Sequence, residues 1–316
     1  MDADDTAQIE ESLRKALSAD LSRGRAAVTE FGWQELLEED PAAAVSTLFA
    51  VAGDLLVPGS FLDDVLIAAS GLDVPEGARV LLPPPGASEP ASRVGADAMI
   101  SGLAQRGDGP ILAACRGTDG GVTFALTGTD ALADGETLDP DAGWTVVDDP
   151  DPRVMSAVEC PDPGATWATM VGAGQRAIAH ELTAVAARML AMTVEHVSTR
   201  HQFGQALGTF QSVKHQLADV RLWVEVAQLS AAAAWESDAP ELALLAKLAA
   251  IRASRTARTA CQQLLGGMGF TWEHDFHLYL RRALTLEPLL GSSSVLHQQL
   301  GAALRDGHVA DTLVPL

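Results

Sequence analysis

From Thr166 to the end of the chain, apolar residues return about every 3.6 positions, and this period commits nearly half of the molecule to long amphipathic helices. The periodic stretches run 166–199, 206–236, 241–265, 274–284 and 293–305, with turns at Gly204, at Asp238-Ala239-Pro240 and at Gly266-Gly267. Long helices joined by short links pack antiparallel, so this region predicts a helical bundle.

Two other textures precede it. Residues 6–71 also read as helices, TAQIEESLRKALSA, FGWQELLEED, PAAAVSTLFAVAGDLL and SFLDDVLIAAS, with Pro at first turns and Gly just past the ends. Between about 74 and 160 the chain breaks into short β-type runs, ARVLL, DAMISG, PILAAC, GVTFALTG, GWTVVDD and RVMSAVEC, separated by Gly, Pro and Asp clusters. The expected fold class is α+β and mostly helical: an N-terminal helical domain over 1–72, a β domain over 73–162 and a C-terminal antiparallel helical bundle over 163–316.

Composition narrows the partners. The 316 residues carry 21 Lys+Arg against 42 Asp+Glu, a net charge of −21 that repels nucleic acid and anionic lipid alike. Cys115, Cys160 and Cys261 are too far apart in sequence for a local C-x-x-C pair, which predicts no metal site and a reduced, cytoplasmic chain. The acidic start MDADDTAQIEES is unlike a signal or transit peptide. No run reaches the roughly 18 uninterrupted apolar residues of a bilayer crossing, so no membrane span is expected.

Two blocks carry chemistry. The first is Arg200-His201-Gln202-Phe203-Gly204, followed by Thr209-Phe210-Gln211 and Leu217-Ala218-Asp219. The second is Gln263-Leu264-Leu265-Gly266-Gly267-Met268-Gly269-Phe270, followed by Glu273 and Arg281-Arg282-Ala283. Their order and their separation of about 60 residues resemble the two flavin motifs of acyl-CoA dehydrogenases, whose helix, β, helix order also matches. In that family both motifs serve a flavin dinucleotide held mainly by the neighbouring subunit. The resemblance therefore implies FAD as cofactor and a cofactor-binding set of Arg200, Gln202, Phe203, Gly204, Phe210, Gln211, Gln263, Gly266 and Gly267.

The residue types suit that task. Arg200 offers a planar fork of donors to a pyrophosphate. Gln202, Gln211 and Gln263 both donate and accept, as ribose and adenine edges require, and Gly266 and Gly267 let backbone approach a phosphate without an intervening Cβ. Phe203 and Phe210 give apolar faces and are expected in the core under any reading. Taken singly, Arg200 is a helix-end cation and Gly266-Gly267 a C-cap. The stripe Arg252, Arg255, Arg258 is expected to form a solvated face or salt bridges rather than a phosphate site.

The family's general base is missing. Acyl-CoA dehydrogenases take a proton from the carbon α to the thioester with a carboxylate while the flavin accepts the β hydride. In the family that Glu falls nine residues after the Arg matched by Arg281, and this count lands on Leu290; the flavin-contacting Gln four further on is Ser294. The alternative helix position of the base falls at about Gly174. No catalytic residue is assigned, and His180, Glu181 and Glu287 are the nearest titratable substitutes. The family's flavin strand, with Ser/Thr-Glu-Pro and Gly-Ser-Asp, is expected only as the remnant Ala113-Ala114-Cys115-Arg116-Gly117-Thr118-Asp119.

Parts that help a partner's flavin are kept, while parts that hold and use a flavin of its own are lost. This asymmetry resembles the shorter subunit of actinobacterial α2β2 acyl-CoA dehydrogenases that shorten sterol side chains. The implied partners are a longer catalytic subunit with shared FAD, an acyl-CoA bound on that partner, and electron-transfer flavoprotein or a similar acceptor. Two alternatives stay open: a self-sufficient homomer with an unusual base such as Glu181 or Glu287, and a scaffold of the same fold without flavin. The Ala-rich faces of 206–236 and 241–265 exceed what one subunit's core needs, which predicts a large apolar interface.

Overall fold

The computed structural model describes residues 3–95, 97–128, 137–149 and 155–307. The N-terminal helices are α1 (Ala3–Ala19), α2 (Gly24–Glu30), α3 (Trp33–Glu39), α4 (Pro41–Leu55) and α5 (Leu62–Ser70). Their limits follow local chemistry: the Asp40 side chain accepts from Ala43 N at 3.0 Å, Pro41 fills the first turn of α4, and Gly71 closes α5 at φ 61°. Sequence periodicity missed α2, a single short segment. Trp33 is buried and its ring N–H donates to Ala44 O at 2.9 Å, which ties α3 to α4.

The middle region holds β1 (Arg79–Leu81), β2 (Ser92–Arg93), β3 (Ile100–Gln105), β4 (Ile111–Arg116), β5 (Val122–Thr127), β6 (Trp144–Asp149) and β7 (Met155–Val158). Each β-type run of the sequence contains one of these strands, although Arg153 and Val154 of RVMSAVEC lie outside the described residues, and β2 was not anticipated. Strands order as β1-β4-β5-β7, with β2 also beside β4, and β3 pairs with β6. β1 and β2 run parallel to β4 at its two ends, Val80 opposite Leu112 and Ser92 opposite Cys115. Reciprocal backbone bonds between Leu82 and Leu103, 2.8 and 2.9 Å, join the two sheets.

The third region is built on α6 (Pro163–Thr199), capped by Asp162, whose side chain accepts from Ala165 N at 3.0 Å. It continues through β8 (His201–Gln202), β9 (Gln205–Ala206), α7 (Gln211–Ala233), α8 (Pro240–Leu265), α9 (Phe276–Leu286) and α10 (Ser293–Arg305). The expected helix over 206–236 starts later, because a tight hairpin and a 3-10 turn at Leu207–Thr209 take its first residues. By length and composition α6 could cross a bilayer, but α4, α5, α7, α8 and α9 pack around it and bury it as the core helix. At Gly53 a Cβ would come within 2.5 Å of Glu181 O, so glycine lets α4 and α6 cross in close contact.

The larger apolar cluster runs through all three regions, from Trp33 and Phe49 through Val80 and Phe124 to Leu182, Ile251 and Leu290, and a smaller one around Ile100, Ile111 and Val147 lies within the β region. The buried Arg282 guanidinium stitches the same regions. It donates to Asp139 at 2.6 Å, to Glu181 at 3.0 Å and to Val57 O at 3.3 Å.

Candidate functional site

The two base positions implied by the resemblance prove to be one place. Leu290 is fully buried, and a Cβ built on Gly174 would fall well inside contact distance of Leu290 Cδ1 and 3.0 Å from Leu66 Cδ2. The Leu290 side chain fills the space that a side chain at 174 would take, with Leu62 beside it. Where a carboxylate could sit there is packed hydrocarbon, and no proton transfer can start from it.

The loop that carries Leu290 is held by buried polar groups. Lys247, fully buried on α8, donates its ammonium to the carbonyls of Leu289 and Gly291, the latter at 2.8 Å. Gln175 Nε2 donates to Leu290 O at 3.0 Å. Three successive carbonyls are thus bound, and they hold Leu290 in the left-handed region at φ 53°. Burial pushes the Lys247 pKa down to about 7, opposed by the Glu287 carboxylate. Sequence reading did not single out Lys247, although its spacing from Ala243, Ala250 and Ser254 puts it on the buried stripe of α8.

The substitutes considered for the base are all engaged. His180 accepts the Trp235 ring N–H at 3.1 Å, and burial lowers its pKa to about 4. Glu181 binds Arg282, and burial raises its pKa against that cation. Glu287 accepts from Arg255 Nε at 2.7 Å and from Arg258 Nη2 at 2.8 Å, so two arginines of the basic stripe form salt bridges as expected. The third, Arg252, lies 5.0 Å from the Trp223 ring centroid.

One expectation about the β region is corrected. Ala113, Ala114 and Cys115 are buried within β4, and Asp119 Oδ1 is taken by Gly121 N in the following turn. The segment that meets the Leu290 loop is 84–88. Gly86 N donates to Pro288 O at 2.8 Å and Gly86 O accepts from Ser292 N at 3.0 Å, while Ser88 O accepts from the Trp167 ring. This segment leads into Ser88-Glu89-Pro90, a tripeptide of the type sought at 113–119 and readable in the sequence. Ser294 is exposed on the first turn of α10.

The flavin-type motifs gather elsewhere, at the end of the bundle where α6 and α8 finish and α7 and α9 begin. Arg200 terminates α6 with an exposed side chain, and Phe203 and Gly204, at φ 55° and 83°, form the two-residue turn between β8 and β9. Phe203 is not a core residue: its ring is 88% exposed, 6.2 Å from the half-buried Phe210 and edge-on to it, because the turn lifts it off the bundle. Gln202, Gln211 and Gln263 are exposed. A recess of about 430 Å3 is lined by Thr259, Gln262, Gln263, Gly266 and Phe270. His196 lies within electrostatic reach of both Arg200 and His274; burial and these two neighbours lower its pKa, so the two motifs meet at one end.

The donor set fits a dinucleotide. Nothing lies within 4 Å of a Cβ built on Gly266 or Gly267, and Gly267 has no left-handed φ to explain it. The chain's own packing does not require a glycine at 267; bare backbone facing open space beside amides and an exposed guanidinium suits close approach by a phosphate.

Bundle and motifs together define a class. Residues 166–305 match the family described as acyl-CoA dehydrogenase, C-terminal domain. A relative, acyl-CoA dehydrogenase IpdE2 of Mycobacterium tuberculosis, is 40% identical over 133 residues, 42% of this chain and 40% of that protein. The chain therefore matches less than half the length of this curated relative. Among solved structures, a variant of the Tcur3481–Tcur3483 steroid ACAD is similar at TM-score 0.72 and 22% identity, covering 97% of this chain and 99% of that one. The ChsE4–ChsE5 complex from Mycobacterium tuberculosis is similar at TM-score 0.72 and 18% identity, covering 97% and 98%. These likenesses show the acyl-CoA dehydrogenase fold over nearly the whole chain.

Proposed function

We propose that this chain is a non-catalytic subunit of a flavin-dependent acyl-CoA dehydrogenase that completes the FAD site of a longer catalytic partner in an α2β2 assembly. The observation that carries the reading is Leu290 packed into the place of a side chain at Gly174, which leaves the family's base position apolar. The exposed Arg200, Gln202, Phe203, Gly204, Gln211, Gln263, Gly266 and Gly267, with the half-buried Phe210, would hold the dinucleotide of the partner from outside. FAD supplies hydride acceptance, while this chain binds its phosphates with Arg200 and bare backbone, orients its polar edges with the glutamines, and covers it from water.

The partner then supplies the base and the thioester contacts, and an electron-transfer flavoprotein or similar acceptor takes the electrons. The similar solved structures, a steroid ACAD and the two-component ChsE4–ChsE5 complex, support a heteromer and a steroid side-chain acyl-CoA as the substrate class. Three unpaired cysteines agree with a cytoplasmic setting.

Gly267→Leu and Arg200→Ala test the reading, since neither position supports the chain's own packing. Co-expressed with a longer, catalytic acyl-CoA dehydrogenase subunit from the same organism, each variant should assemble with unchanged mass and melting temperature but retain less than about half of the wild-type flavin after gel filtration. Full flavin retention in both would refute binding across the interface.

A further inference from the structure

Trp272 stands apart from the other tryptophans. Trp33, Trp144 and Trp167 are buried and Trp223 and Trp235 half-buried, whereas Trp272 is 78% exposed and its neighbour Phe270 74%. Yet its ring is held. His277 meets it edge-on at 4.6 Å with an interplanar angle of 74°, and the Arg281 guanidinium lies 5.6 Å from its centroid. The segment beneath is fixed as well: Thr271 Oγ1 donates to Met268 O at 3.0 Å, and Phe276 N donates to His274 Nδ1 at 3.1 Å. An aromatic ring both exposed and preorganised is suited to stacking, because little freedom is lost when a partner ring lands on it.

The surroundings select the partner. Two arginines, Arg200 and Arg281, and the imidazoles of His196, His274 and His277 lie at this end, beside the exposed carboxylates of Glu273 and Asp275. Arg281 Nε is buried without a hydrogen-bond partner among the described residues, a donor left over after the chain's own contacts are made. An apolar pocket on another protein would match an uncharged rim, whereas an exposed indole with a guanidinium against it matches a flat ring that carries a phosphate. The recess lined by Gln262, Gln263 and Gly266 opens just before this segment and supplies the amides that read polar ring edges.

We propose that Trp272 is the stacking platform for the adenine ring of the dinucleotide; this rests on the shared-flavin reading above. Sequence reading passed over Trp272, which falls inside the second block between its quoted residues Phe270 and Glu273. The positioning contacts come from Arg281 and His277, which set the plane of the ring, and the exposed face of the indole takes the base.

The test uses the complex co-expressed with the partner, stripped of flavin and titrated with FAD and separately with FMN, which lacks the adenylate. Trp272→Ala should weaken FAD binding about tenfold, the loss of one base-on-aromatic stack, with FMN binding and assembly mass unchanged. Trp272→Phe should restore FAD affinity to within about threefold while removing the tryptophan emission that FAD quenches. Unchanged FAD affinity in Trp272→Ala, equal losses for FAD and FMN, or dissociation of the complex would each overturn the proposal, the last by making Trp272 an anchor in the partner. If Arg200→Ala still lowers flavin content in that case, only the stacking role fails; a wild-type complex without bound FAD would sink both readings.

Discussion

At the scale of single residues, Leu290 and Gly174 are complementary: one side chain takes the room that the other position leaves. Gly174→Ala should therefore destabilise by about 1–3 kcal/mol, since the new methyl must displace Leu290 or Leu66 in a packed core. Leu290→Ala alone leaves a cavity and should cost about 2–5 kcal/mol. In the double variant the added methyl meets a space already vacated, so urea denaturation should give a combined cost at least about 1 kcal/mol below the sum. Strict additivity would show that the two side chains do not share one place. Both positions were legible in the sequence, one by counting from Arg281 and one by register on α6. Their meeting was not, because contact between residues so distant along the chain is a property of packing.

Among the elements, the loop between α9 and α10 is the part whose stability depends most on one ionisable group. The Lys247 amine lies at a pKa of about 7 when folded, against an ordinary value of 10.5. Between these values the unfolded chain binds more protons than the folded one, so this residue's contribution to stability rises as pH increases from about 7 towards 10. Lys247→Met should flatten that rise relative to wild type in denaturation measured at pH 7, 8 and 9, and parallel pH profiles would contradict the assignment. Helices and strands were legible where the period was long or the flanking Gly and Pro clear, as in α4, α6, α8 and β4. The β8–β9 hairpin was not, since its two-residue strands are too short to show alternation, and Phe203 was placed in the core on its hydrophobicity alone. Ser88-Glu89-Pro90 is readable only as a tripeptide, since nothing local in the sequence shows that its segment meets the Leu290 loop.

The whole molecule carries apolar and polar surface that its own fold leaves uncovered. α7 leaves Leu222 57% and Leu229 64% exposed along one side, and α8 leaves Leu245 exposed, which fits a bundle built to be covered by another subunit. The flavin motifs face outward at one end, while the base position lies sealed inside. Sequence motifs made both features readable as residue types; only the fold separates them into a surface that can serve another chain and an interior that serves none. The most direct test is the flavin-to-protein ratio of the chain purified alone and again after co-expression with a longer, catalytic acyl-CoA dehydrogenase subunit from the same organism. The account predicts almost no flavin alone and about one per pair with the partner, whereas one flavin per chain in the lone protein would contradict it.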